Sequence, residues 1–229
     1  FYWTGFDYRG EPNPMKYPAT GSQFGILDYC GFPKDEAFYL KAWWTDETIL
    51  HIFPHWNLQG HEGEEVDVWV YSNCDEVELI VNGKKLGRKE MPKNGHLEWK
   101  AVYKPGYVKA VGYKNGKRIK VEKIETTDVA TRIVLDADRT SLVPNNQDVA
   151  VCKIELQDKK KRFVPDACLN LKLKVSGPIR ILGVGNGDPA YQTTERPADS
   201  NARTYEMKSF NGLAQVLLQS TKETGEAIL

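Results

Sequence analysis

Trp3, Asp7 and Arg9 fall within one short run, Phe1-Tyr2-Trp3-Thr4-Gly5-Phe6-Asp7-Tyr8-Arg9-Gly10-Glu11-Pro12. Aromatic rings beside a carboxylate and a guanidinium in a short polar loop have the chemistry to hold a sugar. The rings stack on C–H faces, and the charged groups take the hydroxyls. The run reads as the tail of a buried strand leading straight into a functional loop. A natural amino terminus this aromatic would expose a large apolar surface, so residue 1 is expected to be an internal cut with further chain upstream.

Other reactive side chains have blander readings. Glu11 sits in a Gly-Glu-Pro turn and reads as a solvated or supporting turn residue. Arg9 reads as structural, paired with Asp7 or Glu11. His51, His55, His61, Glu62 and Glu64 are metal-ligand types, but Pro54 argues against a helix between the first two histidines. On a strand, His51 and His55 would stand about 13 Å apart, too far for one ion. They are read as structural, and no metal is expected. Gly183-Val184-Gly185-Asn186-Gly187-Asp188 lacks the Lys-Ser/Thr of a phosphate loop and reads as a turn. Lys159-Lys160-Lys161-Arg162 reads as a solvated hairpin tip. Cys30, Cys74, Cys152 and Cys168 are widely spaced, which argues for free thiols rather than a disulfide framework or zinc site.

The 31 basic and 31 acidic residues balance, so no overall field favours nucleic acid or an anionic membrane. No apolar run approaches the roughly 18 residues a membrane helix needs.

The elements that would position the opening loop are legible in outline. After the first strand comes a stretch dense in breakers (Pro12, Pro14, Pro18, Gly21, Gly25), then a helix over 35–44 with Asp35 as N-cap. From about residue 47 the apolar period becomes two. Val66, Val68 and Val70 form one row, Val77, Leu79 and Val81 the next, and Leu97, Trp99, Ala101 and Tyr103 a third. Asn82-Gly83 is a strong hairpin turn, and Asn115-Gly116 also turns the chain. About seven short strands at regular spacing indicate an immunoglobulin-like sandwich. Residues 125–128 read as a linker. A second β pattern follows, carried by Ile133 and Leu135, then Val149, Val151 and Ile154. Leu169, Leu171, Leu173 and Val175 continue it, and Gly212, Ala214, Val216 and Leu218 end it. The apolar carboxyl end also reads as a cut.

The opening run, with Phe24-Gly25-Ile26-Leu27-Asp28-Tyr29-Cys30-Gly31-Phe32-Pro33-Lys34-Asp35, His51–Asn57, Gly60-His61-Glu62-Gly63, Val70–Asn73 and Val81–Lys84, resembles glycoside hydrolase family 2. The likeness is to bacterial β-galactosidase-like members and covers roughly residues 1–125. It implies a mainly β fold: two immunoglobulin-like β-sandwiches preceded by the last strand–loop–helix unit of a (β/α)8 (TIM) barrel. The implied domains are 1–46, the barrel remnant, then 47–126 and 127–229, the sandwiches. The implied activity is that of a retaining β-glycosidase on neutral β-hexosides, most closely a β-galactosidase. Such an enzyme uses two carboxyl groups about 5–5.5 Å apart. In the family these lie on barrel strands upstream of residue 1, so the chain would hold no catalytic residue and be inactive alone.

The resemblance also implies the site. Trp3 would floor the subsite for the cleaved sugar, the alternative being core packing. Asp7 would bind a sugar hydroxyl or orient a catalytic group, the alternative being a loop-stabilising role. Phe24 and Asp28 would pass close to the same pocket. Related β-glucuronidases carry an Asn-x-Lys whose Lys pairs with the uronate. Ser22-Gln23-Phe24-Gly25-Ile26 supplies no such cation, which favours a neutral hexose. No cofactor is expected. The expected partners are a carbohydrate and an upstream catalytic barrel, with no nucleic acid or membrane, and oligomers are possible. The expected location is periplasmic or extracellular. The rival readings are a sandwich that binds carbohydrate itself (through Trp69, Trp99 or Tyr113, although alternation makes Trp99 core), a structural or oligomerisation module, and a β-glucuronidase or β-mannosidase of the same family.

Overall fold

A computed structural model describes residues 2–229. Phe1, the first ring of the opening run, lies outside the described residues. The chain is mainly β, as its alternation indicates, and forms two compact units. One comprises residues up to Phe32 together with Asp128–Leu229; the other is Pro33–Thr127.

The opening strand, β1 (Thr4–Phe6), pairs in parallel with a second short strand, β2 (Gly25–Leu27), in the register Thr4↔Gly25 and Phe6↔Leu27. Apolar alternation over three residues is too short to have announced β2. What makes the pairing possible is Gly25. A Cβ there would lie 2.2 Å from the Asp7 backbone nitrogen.

The helix α1 (Asp35–Trp44) forms where breakers are absent, but its N-cap is Lys34, which makes no side-chain cap bond. Asp35 and Glu36 occupy the first turn, where negative charge suits the helix dipole. Asp35 is instead engaged by His51, Nε2 to Oδ1 at 2.7 Å. The helix belongs with the second unit and lies against β3 (Leu50–Phe53) and β4 (Glu65–Ser72). Phe38 stacks on His51 at 3.8 Å, and Tyr39 meets Tyr71 edge-on at 5.3 Å. The helix and the opening strand, expected in one segment of 1–46, therefore separate at residues 32 and 33.

The rest of the Pro33–Thr127 unit is β5 (Glu76–Val81), β6 (Lys84–Glu90), β7 (Leu97–Val102), β8 (Tyr107–Lys114) and β9 (Lys117–Glu125). Two antiparallel sheets, ordered β3-β4-β7 and β6-β5-β8-β9, enclose one core. Val68, Val70, Val77, Leu79, Trp99, Ala101 and Val108 fill it, from the rows that alternation marks as inward. Asn82-Gly83 and Asn115-Gly116 both adopt positive φ at the two hairpin tips, the conformation a two-residue type I′ turn requires.

In the other unit, β10 (Arg132–Ala137), β11 (Val149–Gln157), β13 (Ile179–Gly185) and β15 (Leu213–Ser220) form a sheet ordered β10-β11-β15-β13; β12 (Asn170–Lys174) pairs with β14 (Thr204–Lys208). Ala150, Cys152, Ile154 and Leu156 point into the core, so Val149 and Val151 lie on the opposite face. Ile133 and Leu135 pair with Leu156 and Ile154, yet they stay exposed. They stand on the edge strand, and the facing sheet has only two strands to cover four.

The basic run after β11 is not uniformly solvated. Asp158 is fully buried and accepts from the Lys160, Arg162 and Asp128 amides and from Arg162 Nε at 2.8 Å. Burial pushes its carboxyl up, but the Arg162 side chain and these amides outweigh it and hold it well below the usual carboxylate range. Arg162 thus folds inward, and the end of the expected linker, at Asp128, is held by the same carboxylate.

Candidate functional site

The parallel pairing of β1 with β2 brings the residues just before each strand, Trp3 and Phe24, to one end of a small sheet. There Tyr2, Trp3, Glu11, Asn13 and Phe24 line a cavity of about 640 Å³, within the range of small-molecule sites. Trp3 is 66% exposed and Phe24 41%, so their ring faces are open to a ligand.

The polar side of the cavity is held by a short chain of hydrogen bonds. Trp3 Nε1–H donates to Tyr8 Oη at 3.1 Å, and Tyr8 Oη–H donates to Glu11 Oε2. The Glu11 carboxylate raises the Tyr8 phenol above its ordinary value, against the opposing Trp3 bond. Gly10 and Glu11 both have positive φ, which turns the chain so that Glu11 comes back beside Trp3 and Tyr8. The loop is closed from behind: Ser22 N–H donates to Tyr8 O at 2.8 Å, and Tyr8 N–H to Ser22 Oγ at 3.1 Å.

Of the four expected binding residues, Trp3 and Phe24 line the cavity, whereas Asp7 and Asp28 are not among its lining residues. Asp7 is buried and accepts from the Gly25 amide at 2.9 Å, fastening β2 to β1. Asp28 accepts from the Cys30 and Phe32 amides at 2.8 and 2.9 Å, closing the turn after β2. Asp28 is drawn toward these amides because the tight turn leaves N–H groups without strand partners, whereas Asp7 takes the amide of the first β2 residue. The polar lining residues are Glu11, read from the sequence as a solvated or supporting turn residue, and Asn13, which that reading did not single out. The available signal was Gly10 directly before Glu11, a pair able to turn a side chain back on its own strand.

Arg9 pairs with Glu195 rather than Asp7 or Glu11, and its guanidinium lies 4.9 Å from the centre of the Tyr29 ring. This is one of several ties between the opening segment and the β10–β15 sandwich. Thr20 N–H donates to Pro189 O at 3.0 Å, and Gln215 Nε2 donates to Cys30 O at 2.9 Å. The glycine-rich stretch serves the same docking. Gly183 to Gly185 finish β13, and the turn begins only at Asn186. A Cβ at Gly187 would lie 2.0 Å from Asp28 Oδ2, and one at Gly185 2.7 Å from Cys30 Sγ. Burial pushes the Cys30 thiol up to about 12, so it is protonated at neutral pH and is no nucleophile.

In the Pro33–Thr127 unit, the histidines have protein partners. His51 meets Asp35, and His61 Nδ1 lies 2.9 Å from Glu64 Oε2. His55 Nδ1 accepts from the Asn57 amide. No group of three His, Cys, Asp or Glu among the described residues is arranged to hold a metal. The aromatics that could have formed a separate sugar platform are occupied. Trp69 stacks on His96 at 4.3 Å, Trp99 is core, and Arg88 covers Tyr113 at 3.6 Å.

Comparison with known proteins agrees with this architecture. Residues 63–120 match a domain of unknown function (DUF4982), and residues 133–229 match the glycoside hydrolase family 2 C-terminal domain 5. The chain is 40% identical over 232 residues to the β-galactosidase BoGH2A of Bacteroides ovatus, covering 100% of this chain and 26% of the relative. It is 30% identical to a putative β-glucuronidase of Formosa agariphila, covering 99% of this chain and 22% of that protein. A crystal structure of a β-glycosidase from Bacteroides vulgatus superposes with a TM-score of 0.88 at 34% identity, over 98% of this chain and 28% of that one. The chain thus spans about a quarter of the length of the curated relatives it matches. A family-specific carboxyl-terminal domain, joined to similarity that runs the whole length of the chain, has one consequence: the chain belongs to glycoside hydrolase family 2.

Proposed function

We propose that the chain is part of a retaining β-glycosidase acting on neutral β-hexosides, most closely β-galactosides, and that the Trp3 cavity forms part of its sugar-binding wall. The observation that carries this reading is the cavity itself. Three aromatic side chains and two polar ones, Glu11 and Asn13, surround a space of about 640 Å³. That combination suits a sugar, whose C–H faces need rings and whose hydroxyls need acceptors and donors. None of the described lining residues is cationic, which favours a neutral hexose over a uronate. Among the described lining residues one is a carboxylic acid, whereas double displacement needs two about 5–5.5 Å apart. The reading therefore assigns the acid/base and the nucleophile to another part of the parent enzyme and gives this chain a binding and supporting role.

The test is a titration of the 229-residue chain with methyl β-galactoside, followed by the indole N–H resonances of its six tryptophans. At about 0.3 kcal/mol per non-hydrogen atom, a ligand of this size binds with roughly 4 kcal/mol, a dissociation constant on the order of 1 mM. The Trp3 resonance should shift saturably while the Trp99 resonance stays in place, and Trp3→Ala should abolish the response. A Trp3 resonance that stays still across this range refutes the reading.

A further inference from the structure

The cavity has one charged wall. Tyr2, Trp3 and Phe24 give it rings, Asn13 an uncharged amide, and Glu11 the one carboxylate among its described lining residues. Arg9, a cation of this loop, does not neutralise that carboxylate, because it is paired with Glu195 and lies over Tyr29. Nor is Glu11 free to swing away. Its Oε2 is bound by Tyr8, whose hydroxyl is in turn held by the Trp3 indole at 3.1 Å. The platform ring and the carboxylate are therefore fixed to one another through a single phenol. A sugar stacked on Trp3 meets an acceptor whose position the ring itself sets.

We propose that Glu11 is the specificity-determining residue of this cavity: it accepts a hydroxyl of a neutral sugar seated on Trp3 and rejects sugars that carry a carboxylate. The proposal rests on the sugar-binding reading above and goes further by assigning selection to one residue. A hydroxyl that donates to a carboxylate makes a charge-assisted bond, roughly twice as strong as a neutral one. A uronate in the same place sets a second negative charge against the first. At about 6 Å, in a dielectric between that of a protein surface and water, like-charge repulsion costs roughly tenfold in affinity. The described lining residues thus include no cation to attract a uronate and do include an anion to exclude one.

The experiment compares methyl β-galactoside with methyl β-glucuronide, each titrated into the 229-residue chain at pH 7 and read at the Trp3 indole resonance. The unaltered chain should prefer the galactoside by roughly tenfold, and salt at about 0.5 M should narrow the preference by screening. Glu11→Gln keeps an oxygen for the Tyr8 hydroxyl but removes the charge. It should bring the two ligands to within about twofold, and Glu11→Lys should favour the glucuronide. The free Trp3 resonance of each variant reports whether the ring has kept its place. If galactoside moves Trp3 but the preference survives Glu11→Gln and Glu11→Lys unchanged, this proposal is overturned and the sugar site stands. If neither ligand moves Trp3, the sugar site itself has failed.

Discussion

Glu122 allows a stability measurement whose sign and size can be worked out in advance. It lies on β9 with its side chain 28% exposed, and its Oε2 is buried without a hydrogen-bond partner among the described residues. Its neighbours are His51, whose Nδ1 is 3.8 Å from Oε1, the Ile52 amide and Lys120, and His51 is itself engaged by Asp35. Burial outweighs the attraction of His51 and Lys120 and raises the carboxyl from 4.5 to about 7. A carboxyl raised in the folded state binds its proton more tightly there than in the unfolded chain. Its contribution to stability is full below about pH 4.5 and is lost as pH rises through about 7. At about 1.4 kcal/mol per tenfold in proton affinity, the loss across that window is about 3 kcal/mol. Glu122→Gln removes the titration. Burying an amide there carries its own constant cost, so the diagnostic quantity is the pH dependence rather than the stability at one pH. Urea unfolding followed by tryptophan fluorescence suits the question, since five of the six tryptophans lie in Pro33–Thr127. Between pH 4.5 and 7.5 the unaltered chain should lose about 3 kcal/mol relative to Glu122→Gln. Two curves that run parallel across this window would refute the reasoning.

Trp99 is 4% exposed, so Trp99→Ala should cost about 3–5 kcal/mol in urea unfolding. Trp3→Ala, at an open ring, should cost less than about 1 kcal/mol by the same measurement. Gly25→Ala drives a Cβ into the β1 backbone, so it should displace the Trp3 indole resonance and abolish sugar binding while leaving the Trp99 resonance unmoved.

The parts of this molecule written in short-range pattern were legible in its sequence. Rows of alternate apolar residues mark β4, β5 and β7, and paired Asn-Gly steps mark two hairpins. Trp3 and Phe24, singled out from their motifs, both line the cavity. What was not legible depends on distant partners. Nothing local in Cys30 or Gln215 tells that one side chain will reach the other's carbonyl, so the docking of the opening segment on the last sandwich went unseen. Asp7 and Asp28 are acids in a loop-rich stretch, and only the positions of the Gly25, Cys30 and Phe32 amides reveal that Asp7 ties β2 to β1 and Asp28 holds a turn. Ile133 and Leu135 alternate as core residues do, but a facing sheet of two strands leaves them uncovered.

The division of the chain at residues 32 and 128 orders events during synthesis. Residues up to Phe32 leave the ribosome before the rest of this chain, yet the strand and loops they dock against, Ile179–Gly185, Pro189 and Gln215, emerge about 150 residues or more later. At a few to some twenty residues per second, the opening segment waits roughly ten seconds or longer. In that interval Pro33–Thr127 has all of its own strands and can close its core. The Trp3 loop, made ahead of the strands it docks against, is therefore fixed late within this chain, and a nascent chain interrupted before Gln215 would carry a finished Pro33–Thr127 unit with no anchored cavity.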